Sequence, residues 1–383
     1  MVVHKKLKIA IFTDSYLPAV DGVVTYITRT RKELERRGHR VYIFAAGNSR
    51  TKELCRKDKR LFVFKGVKFV KYNQYTISLN PYMTKMIKKI KPDLIHSQTP
   101  FSMGLMALVS KNLYSIKMIN TFHTLVNSDD MVKSYFNSNK AIKSISKKLV
   151  EMYFKWFYSK SDLVIAPSDY SRKVLEKIGL SNVIVIPNGI DPQPKVNKSR
   201  ARKMLGISDD YKVLLYLGRL GYEKNLRTLI LAAGGFVDKN ILLIIAGMGP
   251  ALNELRELAA ANNLSNVRFV GFVPENMKKY YYASADIFVN PSMIEVLSTV
   301  DIEALYTGIP ILVPKNSSQE NLILGGKRGE TFDGSRPDDL CAKAALMLKN
   351  IKKYSPKKGI EEYSLKNSVN SLLSAYYSVL EKG

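Results

Sequence analysis

Short runs of consecutive apolar residues recur along the chain, separated by longer stretches whose apolar positions fall three or four residues apart. Such runs are typical of strands buried on both faces, and the stretches between them have the period of amphipathic helices. In the first half the runs are KIAIFT (8–13), RVYIFAA (40–46), DLIHS (93–97), KMINTF (117–122), DLVIAP (162–167) and VIVIP (183–187). In the second half they are KVLLYLG (212–218), ILLIIAG (241–247), VRFVG (267–271), IFVNP (287–291) and IPILVP (309–314). This alternation predicts an α/β protein with parallel sheets covered on both faces.

The length of the chain indicates more than one domain. Its 383 residues, 46% of them hydrophobic, exceed the usual size of a single core. The stretch PNGIDPQPKVNKSR (187–200) has the Pro, Asn and Gly content of a linker. We therefore expect two doubly wound, Rossmann-like domains facing across a cleft, at residues 1–190 and 200–363. A last helix at about 364–383 is expected to pack back on the first domain.

The net charge of +27 is concentrated in the first half of the chain. Residues 1–200 contain 37 of the 60 Lys and Arg residues but only 14 of the 33 Asp and Glu residues. Such a field attracts polyanions, so it indicates either nucleic acid or an anionic membrane surface as partner. A lysine-rich surface that is simply solvated is the alternative, because net charge bears on association and not on fold.

Cysteine and histidine usage argues against a disulfide framework and against a metal site. Cys55 and Cys341 are far apart, which is consistent with a reducing cytosol. There is no Asp-x-Asp sequence, and the histidines show no zinc-type spacing: His4, His39, His96 and His123. No stretch reaches the roughly 18 apolar residues of a membrane span, and the N-terminus has no cleavage-site pattern. We expect neither export nor a metal, and no cofactor.

Three loops that follow predicted strands carry the candidate chemistry, because open α/β sheets bind ligands beyond the carboxyl ends of their strands. DSYLPAVDGVVTYI (14–27) places Gly22 before a helix, where backbone N–H groups can approach a ligand. LGRLGYEKNLRTLI (217–230) places Arg219 and Lys224 between a strand and a helix, where two cations can grip a diphosphate. SMIEVLSTVDIEALYTG (292–308) places two carboxylates eight positions apart, Glu295 and Glu303.

These motifs resemble a known enzyme family. LGRLGYEKN, AGMGP (246–250), GFVP (271–274) and the Glu295-to-Glu303 segment followed by ALYTGIPIL are similar to the retaining, nucleotide-sugar-dependent glycosyltransferases of family 4, which have the GT-B fold. DSYLPAVDGVVTYI, IHSQTPFSMG, NTFHT and APSDYSRKVL in the first half resemble the same family, in particular its members that glycosylate membrane lipids such as diacylglycerol. The resemblance covers nearly the whole chain.

The resemblance implies a role for each site residue. Glu295 would accept hydrogen bonds from donor-sugar hydroxyls, Glu303 would bind the ribose, and Arg219 and Lys224 would neutralise the diphosphate, which matches the acceptor-only chemistry of carboxylates. Gly22 would approach the donor phosphate, and His123 would lie near the transferred sugar. The group expected to carry catalysis is His123, Glu295, Arg219 and Lys224. Further donor contacts are expected at Gly247, Phe272, Val273, Leu297, Ser298 and Thr299. Relatives usually carry glycine where this chain has Ser298.

The acceptor side is predicted in the basic half. NKAIKSISKKLVEMYFKWFYSK (139–160) interleaves lysines with apolar and aromatic residues at roughly helical spacing, a pattern suited to an anionic interface. NPYMTKMIKKIKPD (80–93) is a second candidate. In either segment the apolar stripe could instead pack on the sheet. The residues predicted for acceptor or membrane contact are Tyr16, Lys140, Lys143, Lys147, Lys148 and Trp156.

The sequence therefore predicts a retaining glycosyltransferase that moves a hexose from a nucleotide sugar, preferentially a UDP-sugar, to a membrane lipid such as diacylglycerol or a phosphoinositide. It is expected to be cytoplasmic and peripheral at the inner face of the membrane, without a nucleic-acid partner; its oligomeric state is left open. One alternative is a family 4 enzyme with a soluble or cell-wall acceptor. Others are a GT-B UDP-sugar 2-epimerase and a basic module that binds nucleic acid or membrane.

Overall fold

The chain folds into two compact units. A computed structural model describes residues 5–19, 21–47, 51–53, 57–69, 72–123, 140–191, 194–238 and 240–381. Unit 1 comprises Met1–Gly189 together with Leu365–Gly383, and unit 2 comprises Ile190–Ser364. Within the described residues, no helix combines the length and the apolar character needed to cross a membrane.

Unit 1 is built on a parallel sheet of seven strands. The sheet contains β1 (Lys8–Thr13), β2 (Arg40–Gly47), β3 (Leu61–Lys65), β6 (Leu94–Ser97), β7 (Lys117–Thr121), β8 (Leu163–Ala166) and β9 (Val183–Val185). Two further strands, β4 (Val67–Phe69) and β5 (Tyr72–Ile77), form a separate antiparallel hairpin. The order in the large sheet is β3-β2-β1-β6-β7-β8-β9. Alternate residues of β1 enter different clusters, with Ile9 and Ile11 on one face and Ala10 and Phe12 on the other. Both faces are therefore covered, which explains the continuous apolar run.

The helices of unit 1 between these strands include α1 (Gly22–Arg36), α2 (Tyr82–Ile90), α3 (Ser102–Tyr114), α4 (Lys140–Ser159) and α5 (Asp169–Lys177). α1 begins with a good cap, because the Asp21 carboxylate accepts a hydrogen bond from the Val24 amide at 2.8 Å. α5 begins with a reciprocal capping box between Ser168 and Ser171.

Unit 2 repeats the architecture with six parallel strands. They are β10 (Lys212–Leu217), β11 (Ile241–Ala246), β12 (Val267–Gly271), β13 (Ile287–Val289), β14 (Ile311–Pro314) and β15 (Gly329–Phe332), in the order β12-β11-β10-β13-β14-β15. The helices are α6 (Lys198–Leu205), α7 (Leu226–Ala233), α8 (Leu252–Ala261), α9 (Glu275–Ser284), α10 (Thr299–Thr307) and α11 (Pro337–Lys349). Four 3₁₀ turns complete it: η1 (Tyr222–Lys224), η2 (Ser318–Ile323), η3 (Ile351–Lys353) and η4 (Ile360–Tyr363).

The last helix, α12 (Leu365–Glu381), belongs to unit 1. Its Tyr376 hydroxyl lies 2.7 Å from Nδ1 of His96, whose Nε2 lies 2.7 Å from the Thr121 hydroxyl. The Ser368 hydroxyl donates to the Pro187 carbonyl at 2.6 Å. Burial lowers the pKa of His96 to about 3, so this histidine is neutral near pH 7 and joins β6, β7 and α12 as an uncharged link.

The prediction of two doubly wound parallel α/β domains is confirmed, and each predicted strand is present. β3 and β15 were not predicted, and neither was the hairpin of β4 and β5. β15 (GETF) has one apolar side chain and therefore gives no strand-like run, whereas β3 (LFVFK) is as apolar as the predicted strands and was missed without a structural reason. In β15 the sequence GETF begins at Gly329, where an added Cβ would lie 1.8 Å from the Ile311 carbonyl oxygen.

Candidate functional site

The strand order of unit 2 changes direction between β10 and β13. From β10 the chain continues to β11 on one side of it, and from β13 it continues to β14 on the other side. The loops that follow β10 and β13 therefore lead in opposite directions. In doubly wound sheets this switch point opens a crevice beyond the carboxyl ends of the strands, where ligands bind. The loop after β10 contains Arg219 and Lys224, and the loop after β13 contains Glu295.

Lys224 and Glu295 meet at this switch point. The Lys224 ammonium donates a hydrogen bond of 2.6 Å to the Glu295 carboxylate, and the two side chains are 19% and 18% exposed. Asn225, in the left-handed region with φ of 53°, turns the chain from η1 into α7. Its side-chain amide donates to the Pro291 carbonyl at 3.2 Å and to the Gly334 carbonyl at 2.8 Å. The loop that carries Lys224 is thereby fixed to the loop that carries Glu295.

Arg219 is the more exposed of the two predicted phosphate-binding cations. Its side chain is 44% exposed and forms an ion pair with Glu223, four residues later. Its carbonyl accepts a 2.9 Å hydrogen bond from the buried Tyr216 hydroxyl. The backbone at Arg219 is therefore fixed while the guanidinium stays at the surface, where it can exchange a carboxylate partner for an anionic ligand.

Gly247 is required by the packing of neighbouring loops. A Cβ at this position would lie 1.8 Å from the Gly218 carbonyl oxygen, and its φ is +147°. The loops after β10 and β11 are joined directly, since the Leu220 amide donates to the Met248 carbonyl at 2.9 Å. Of the GFVP pair, Phe272 is 67% exposed and Val273 is buried. Phe272 therefore presents an exposed aromatic side chain at the carboxyl end of β12, whereas Val273 belongs to the core.

Ser298 caps the helix that carries Glu303. It is the N-cap of α10, and its hydroxyl accepts hydrogen bonds from the Asp301 amide at 3.4 Å and from the Asn290 side-chain amide at 3.0 Å. Ser298 is buried, as is Leu297, and Thr299 is half-buried. The serine that replaces the usual glycine therefore has a structural reason. Amides in the first turn of a helix lack intrahelical partners, so this end of α10 is suited to an anion.

Glu303 is more enclosed than its predicted contact with a ribose would require. It is 3% exposed, and the Tyr282 hydroxyl donates to its carboxylate at 2.8 Å. The Lys278 ammonium lies 4.0 Å from the same carboxylate oxygen. The structure thus places Glu303 on α10 beside α9, where a tyrosine donates a hydrogen bond to it and a lysine lies near its charge.

A buried aspartate in the first turn of α10 escaped prediction. Asp301 is fully buried and accepts hydrogen bonds of 3.0 Å from the side-chain amides of Asn290 and Gln319. Burial raises the pKa of this carboxyl to about 7. Its sequence position gave no signal, because an aspartate three residues after an N-cap is a common, solvent-exposed feature of helices. Asn290 could have been found, since it directly follows a predicted strand.

In unit 1 the predicted glycine stands at the start of α1. A Cβ added at Gly22 would meet nothing within 4 Å. Packing among the described residues therefore does not demand glycine there, in contrast to Gly247. The preceding Asp21 is held by the Ser15 hydroxyl at 2.7 Å as well as by the helix amide. The start of α1 is thus open and well ordered by its cap.

His123 lies at the carboxyl end of β7, beside the end of β6. Its Nε2 is 2.8 Å from the side-chain oxygen of Gln98, and its ring lies 5.1 Å from the ring of Tyr26. Burial lowers the pKa of His123 to about 3, so the imidazole is neutral near pH 7. Gln98, which sequence reasoning missed, fixes the orientation of this ring.

A second buried aspartate orders this end of unit 1. Asp14 follows β1 and accepts hydrogen bonds from the hydroxyls of Thr99 and Ser102 and, at 3.0 Å, from the Met103 amide. It is 1% exposed, and burial raises its pKa to about 6. Asp14 therefore caps α3 from a neighbouring strand and closes the sheet's own switch point between β1 and β6.

The residues predicted for acceptor contact divide into three groups. Tyr16 is 6% exposed and belongs to the core of unit 1, so it has a packing role. Lys148 is exposed and Trp156 is 45% exposed, both on α4. Lys140, Lys143 and Lys147 lie on the backbone of α4, but their side chains fall outside the described residues.

Two faces of α4 differ sharply. Phe154, Phe157 and Tyr158 are at most 5% exposed and pack into unit 1. The other face presents an exposed stripe, Leu149, Met152 and Trp156, which are 60%, 59% and 45% exposed. One face of α4 therefore packs, as the alternative interpretation expected, and another face leaves apolar side chains exposed; contact with a membrane stays a prediction. On α2, the second candidate, Met83 and Ile87 are buried and Tyr82 is exposed.

Sequence comparison places both units in known families. The model of glycosyltransferase family 4 matches residues 20–194, and that of the glycosyl transferases group 1 matches residues 197–362. The α-monoglucosyldiacylglycerol synthase of Streptococcus pneumoniae is 30% identical over 342 residues, which cover 86% of this chain and 76% of that protein. The enzyme of the same name from Acholeplasma laidlawii is 28% identical, with 85% of each chain covered. A GDP-mannose-dependent α-mannosyltransferase of Corynebacterium glutamicum is 25% identical, covering 87% of this chain and 78% of that protein.

Solved structures agree on the fold. Sucrose-phosphate synthase from Thermosynechococcus elongatus superposes with a TM-score of 0.79 at 18% identity, covering 99% of this chain and 100% of that one. Anabaena HepE, solved with UDP and glucose, gives 0.76 at 18% identity, with 97% and 100% covered. At this identity the likeness bears on the fold alone, and it confirms the predicted GT-B class. With a 30% identical relative aligned over most of both chains, this chain belongs to glycosyltransferase family 4 and is a glycosyltransferase.

Proposed function

We propose that this glycosyltransferase transfers a hexose from a nucleotide sugar, a UDP-sugar in the first instance, to a membrane lipid such as diacylglycerol or a phosphoinositide. It acts with retention of configuration, as a peripheral enzyme at the cytoplasmic face of the membrane. The observation that carries the donor half is the pair of Lys224 and Glu295 at the switch point of unit 2. The acceptor half rests on the exposed stripe of α4 and on the two similar diacylglycerol-named synthases.

The proposed donor site combines cations and carboxylates, the groups suited to the diphosphate and the hydroxyls of a nucleotide sugar. Lys224 and Arg219 are the groups for the diphosphate, with the start of α10 adding partially positive amides. Glu295 accepts hydrogen bonds from sugar hydroxyls once Lys224 turns to phosphate. In the resting protein each of the two cations is paired with a glutamate, Lys224 with Glu295 and Arg219 with Glu223. Donor binding therefore exchanges internal ion pairs for contacts with the ligand.

The same groups support transfer. As the bond between sugar and diphosphate breaks, negative charge grows on the leaving oxygen, and fixed cations stabilise it. In this scheme the acceptor attacks from the face that the leaving group vacates, and a phosphate oxygen takes the acceptor proton. The side chains that stabilise this departing charge are Lys224 and Arg219, without a metal ion. The roles implied by the family resemblance for Gly22 and His123, in unit 1, stay predictions.

The exposed stripe of α4 supports a lipid acceptor. Leu149, Met152 and Trp156 follow a spacing of three and four residues, which puts them on one side of the helix. Lys148 and Lys155 are exposed nearby on the same helix. Apolar side chains beside lysines suit the interface of an anionic bilayer, where the apolar groups enter the headgroup region and the ammonium groups meet phosphates.

The donor nucleotide is left to experiment, because the relatives differ in it. The Corynebacterium glutamicum relative is named for GDP-mannose. The purified protein is incubated with UDP-glucose, UDP-galactose, UDP-N-acetylglucosamine, GDP-mannose and ADP-glucose. Each donor is offered with vesicles containing diacylglycerol or phosphatidylinositol, with vesicles lacking both, and without vesicles. Products are identified by mass, and the anomeric configuration by NMR.

We expect a glycolipid only with vesicles that contain the acceptor, and an α-linkage from an α-configured donor. If the enzyme forms a product with a soluble acceptor in the absence of vesicles, the alternative of a family 4 enzyme with a soluble acceptor would be favoured over a lipid acceptor. Conversion of UDP-N-acetylglucosamine without any acceptor would favour the epimerase alternative. Absence of turnover with every donor would contradict the proposed activity.

A further inference from the structure

The start of α10 is held by a buried polar cluster formed by Asn290, Ser298, Asp301 and Gln319. Each of these side chains is at most 3% exposed. Asn290 follows β13, Gln319 lies in η2 after β14, and the other two residues form the first turn of α10. Three segments at the carboxyl edge of the sheet are therefore joined through one carboxyl group, that of Asp301.

Among the described residues, the hydrogen bonds to this carboxyl come from neutral donors, the Ser298 hydroxyl included. Asn290 and Gln319 each donate one amide hydrogen at 3.0 Å, one to each oxygen. Within the described part of the chain, Asp301 forms no ion pair. A buried carboxylate without a cation is costly, and such a group lowers its cost by taking up a proton.

The ionisable groups around Asp301 favour its neutral form. Glu295, in the loop after β13, acts on it as a like charge. Two buried tyrosines face it from other elements, Tyr216 on β10 and Tyr282 on α9. On its own helix lies Glu303, and in η2 the exposed Glu320 bonds the Asn316 amide. Lys224, one of the two cations of the proposed donor site, is already paired with Glu295.

The cluster can accommodate a proton on Asp301. The side-chain oxygen of Gln319 is buried and has no hydrogen-bond partner among the described residues. Rotation of this amide by half a turn brings that oxygen towards Asp301, where it can accept a hydrogen bond from the protonated carboxyl. The ionised and neutral forms of Asp301 are thus both compatible with the same backbone.

We propose that Asp301 is a positioning residue that sets the first turn of α10 for the donor diphosphate and takes up a proton from solvent when the nucleotide sugar binds. This inference rests on the proposed function, since it requires a diphosphate at the start of α10. The ester-linked diphosphate brings two permanent negative charges near a buried carboxyl, and like charge favours its neutral form. Burial already places the pKa of Asp301 at about 7, so a further rise adds up to about half a proton per ligand at pH 7.

The test is calorimetric titration of the full chain with UDP-glucose, and with GDP-mannose if UDP-glucose does not bind. Both are diphosphate diesters, whose phosphates do not titrate near pH 7. Measurements at pH 7 in two buffers of different ionisation enthalpy give the number of protons taken up. Repeating them at pH 6 and pH 8 gives the change in affinity. The variant is Asp301→Asn, and the matched control is Glu254→Gln, an exposed acid at the same position in the first turn of α8.

We expect proton uptake by the wild type and by Glu254→Gln, with affinity falling about three- to tenfold from pH 6 to pH 8. Asp301→Asn should lose both the uptake and the pH dependence. Equal uptake in wild type and Asp301→Asn would overturn the inference and leave the proposed function standing. If none of the five nucleotide sugars of the donor panel binds the wild type, the proposed function fails instead.

If Asp301→Asn fails to fold, the variant Gln319→Met provides an independent test of the proton uptake by Asp301. It removes one donor to the ionised carboxylate without changing any charge, so the fall in affinity should move to higher pH. Infrared difference spectra of the wild type should also show a new band of a protonated carboxylic acid when the ligand binds. An unchanged pH profile in Gln319→Met together with no such band would contradict the proposal.

Discussion

Lys224 and Glu295, 71 residues apart in the chain, are joined by a 2.6 Å hydrogen bond between partly buried charges. Each group neutralises the other before any ligand arrives, so neither is left as an isolated charge in a site of reduced polarity. Under the proposed function, a nucleotide sugar offers both of them new partners at once, phosphate for the lysine and hydroxyls for the glutamate. The pair is a stabilising contact in the resting protein, and we propose that donor binding breaks it.

We expect Lys224→Ala and Glu295→Ala each to lower kcat/KM at least about a hundredfold, because each removes one oriented charge contact from the transition state. Arg219→Ala should act in the same direction. Initial rates over a range of donor concentrations would measure the effect. Lys212→Ala is the control, since this exposed lysine begins β10 at the opposite end of the strand. Near-normal rates in the Lys224 and Glu295 variants would place the donor elsewhere.

Ser298 is expected to act mainly through the helix cap. Ser298→Ala should lower the free energy of unfolding by about 1 kcal/mol and weaken donor binding, because the first turn of α10 loses its cap. Ser298→Gly, which restores the residue usual in relatives, should cost only a few tenths of that in stability. Denaturant unfolding and donor titration would be compared with Asn197→Ala, which removes the cap of α6. Equal loss of donor affinity in the Asn197 variant would argue against a local effect.

The exposed stripe of α4 should contribute to membrane binding. Replacing Leu149 and Met152 by glutamine removes apolar area that would enter the bilayer, and vesicle affinity should fall at least about tenfold. Leu346→Gln on α11 is a matched control, because Leu346 is 46% exposed and lies in unit 2. Co-sedimentation with anionic vesicles at low and high salt separates the apolar from the electrostatic contribution to vesicle affinity. Raising the salt should weaken the electrostatic contribution. Unchanged sedimentation of the double variant would exclude this surface.

The stability of the protein should depend on pH through Asp301. Its pKa in the folded state, about 7, lies above the ordinary value of 3.8, so the folded state binds the proton more tightly. The contribution of this group to stability is fully present below about pH 4 and is lost as the pH rises towards 7, amounting to about 4 kcal/mol at most. Asp301→Asn should therefore gain in stability relative to wild type over that range. Urea unfolding at pH 4.5, 6 and 7.5 would show it, and a constant difference would contradict it.

Tyr376 should stabilise unit 1 through His96. Tyr376→Phe leaves one nitrogen of a buried imidazole without its partner, and we expect a loss of about 1–2 kcal/mol in the free energy of unfolding. Tyr377→Phe is the control, because its hydroxyl donates to the Lys5 carbonyl at an exposed position. The pKa of His96 is lowered to about 3, so acid favours the unfolded state and stability falls as the pH drops below 6.5. Equal effects of the two tyrosine variants would refute the role of His96.

The pattern of the sequence was sufficient for the architecture because buried parallel strands are apolar on both faces. Continuous runs such as ILLIIAG predict a buried strand even when the neighbouring strands in the sheet are unknown. β15 gave no such signal because GETF contains a single apolar side chain, whereas β3 was missed although LFVFK is itself a continuous apolar run. The motif around Lys224 and Glu295 identified the residues, but their direct contact depends on the strand order, which brings β10 beside β13.

The buried polar groups could not be predicted from sequence. Asp301, Gln319 and Gln98 look like surface residues in a linear reading, and their burial is decided by segments distant in the chain. The exposed stripe of α4 had the opposite difficulty, since its residues alternate with those that pack, and periodicity alone does not say which face is covered. Both cases depend on tertiary contacts, and a linear pattern contains none of them.

The placement of α12 has a consequence for biosynthesis. Its buried side chains Val369, Leu372 and Tyr376 complete the core of unit 1, yet they are translated after the whole of unit 2. During translation, unit 2 can fold while unit 1 still lacks the helix α12 that completes its core. The apolar surface of unit 1 that α12 covers therefore stays exposed to solvent until this helix has been synthesised.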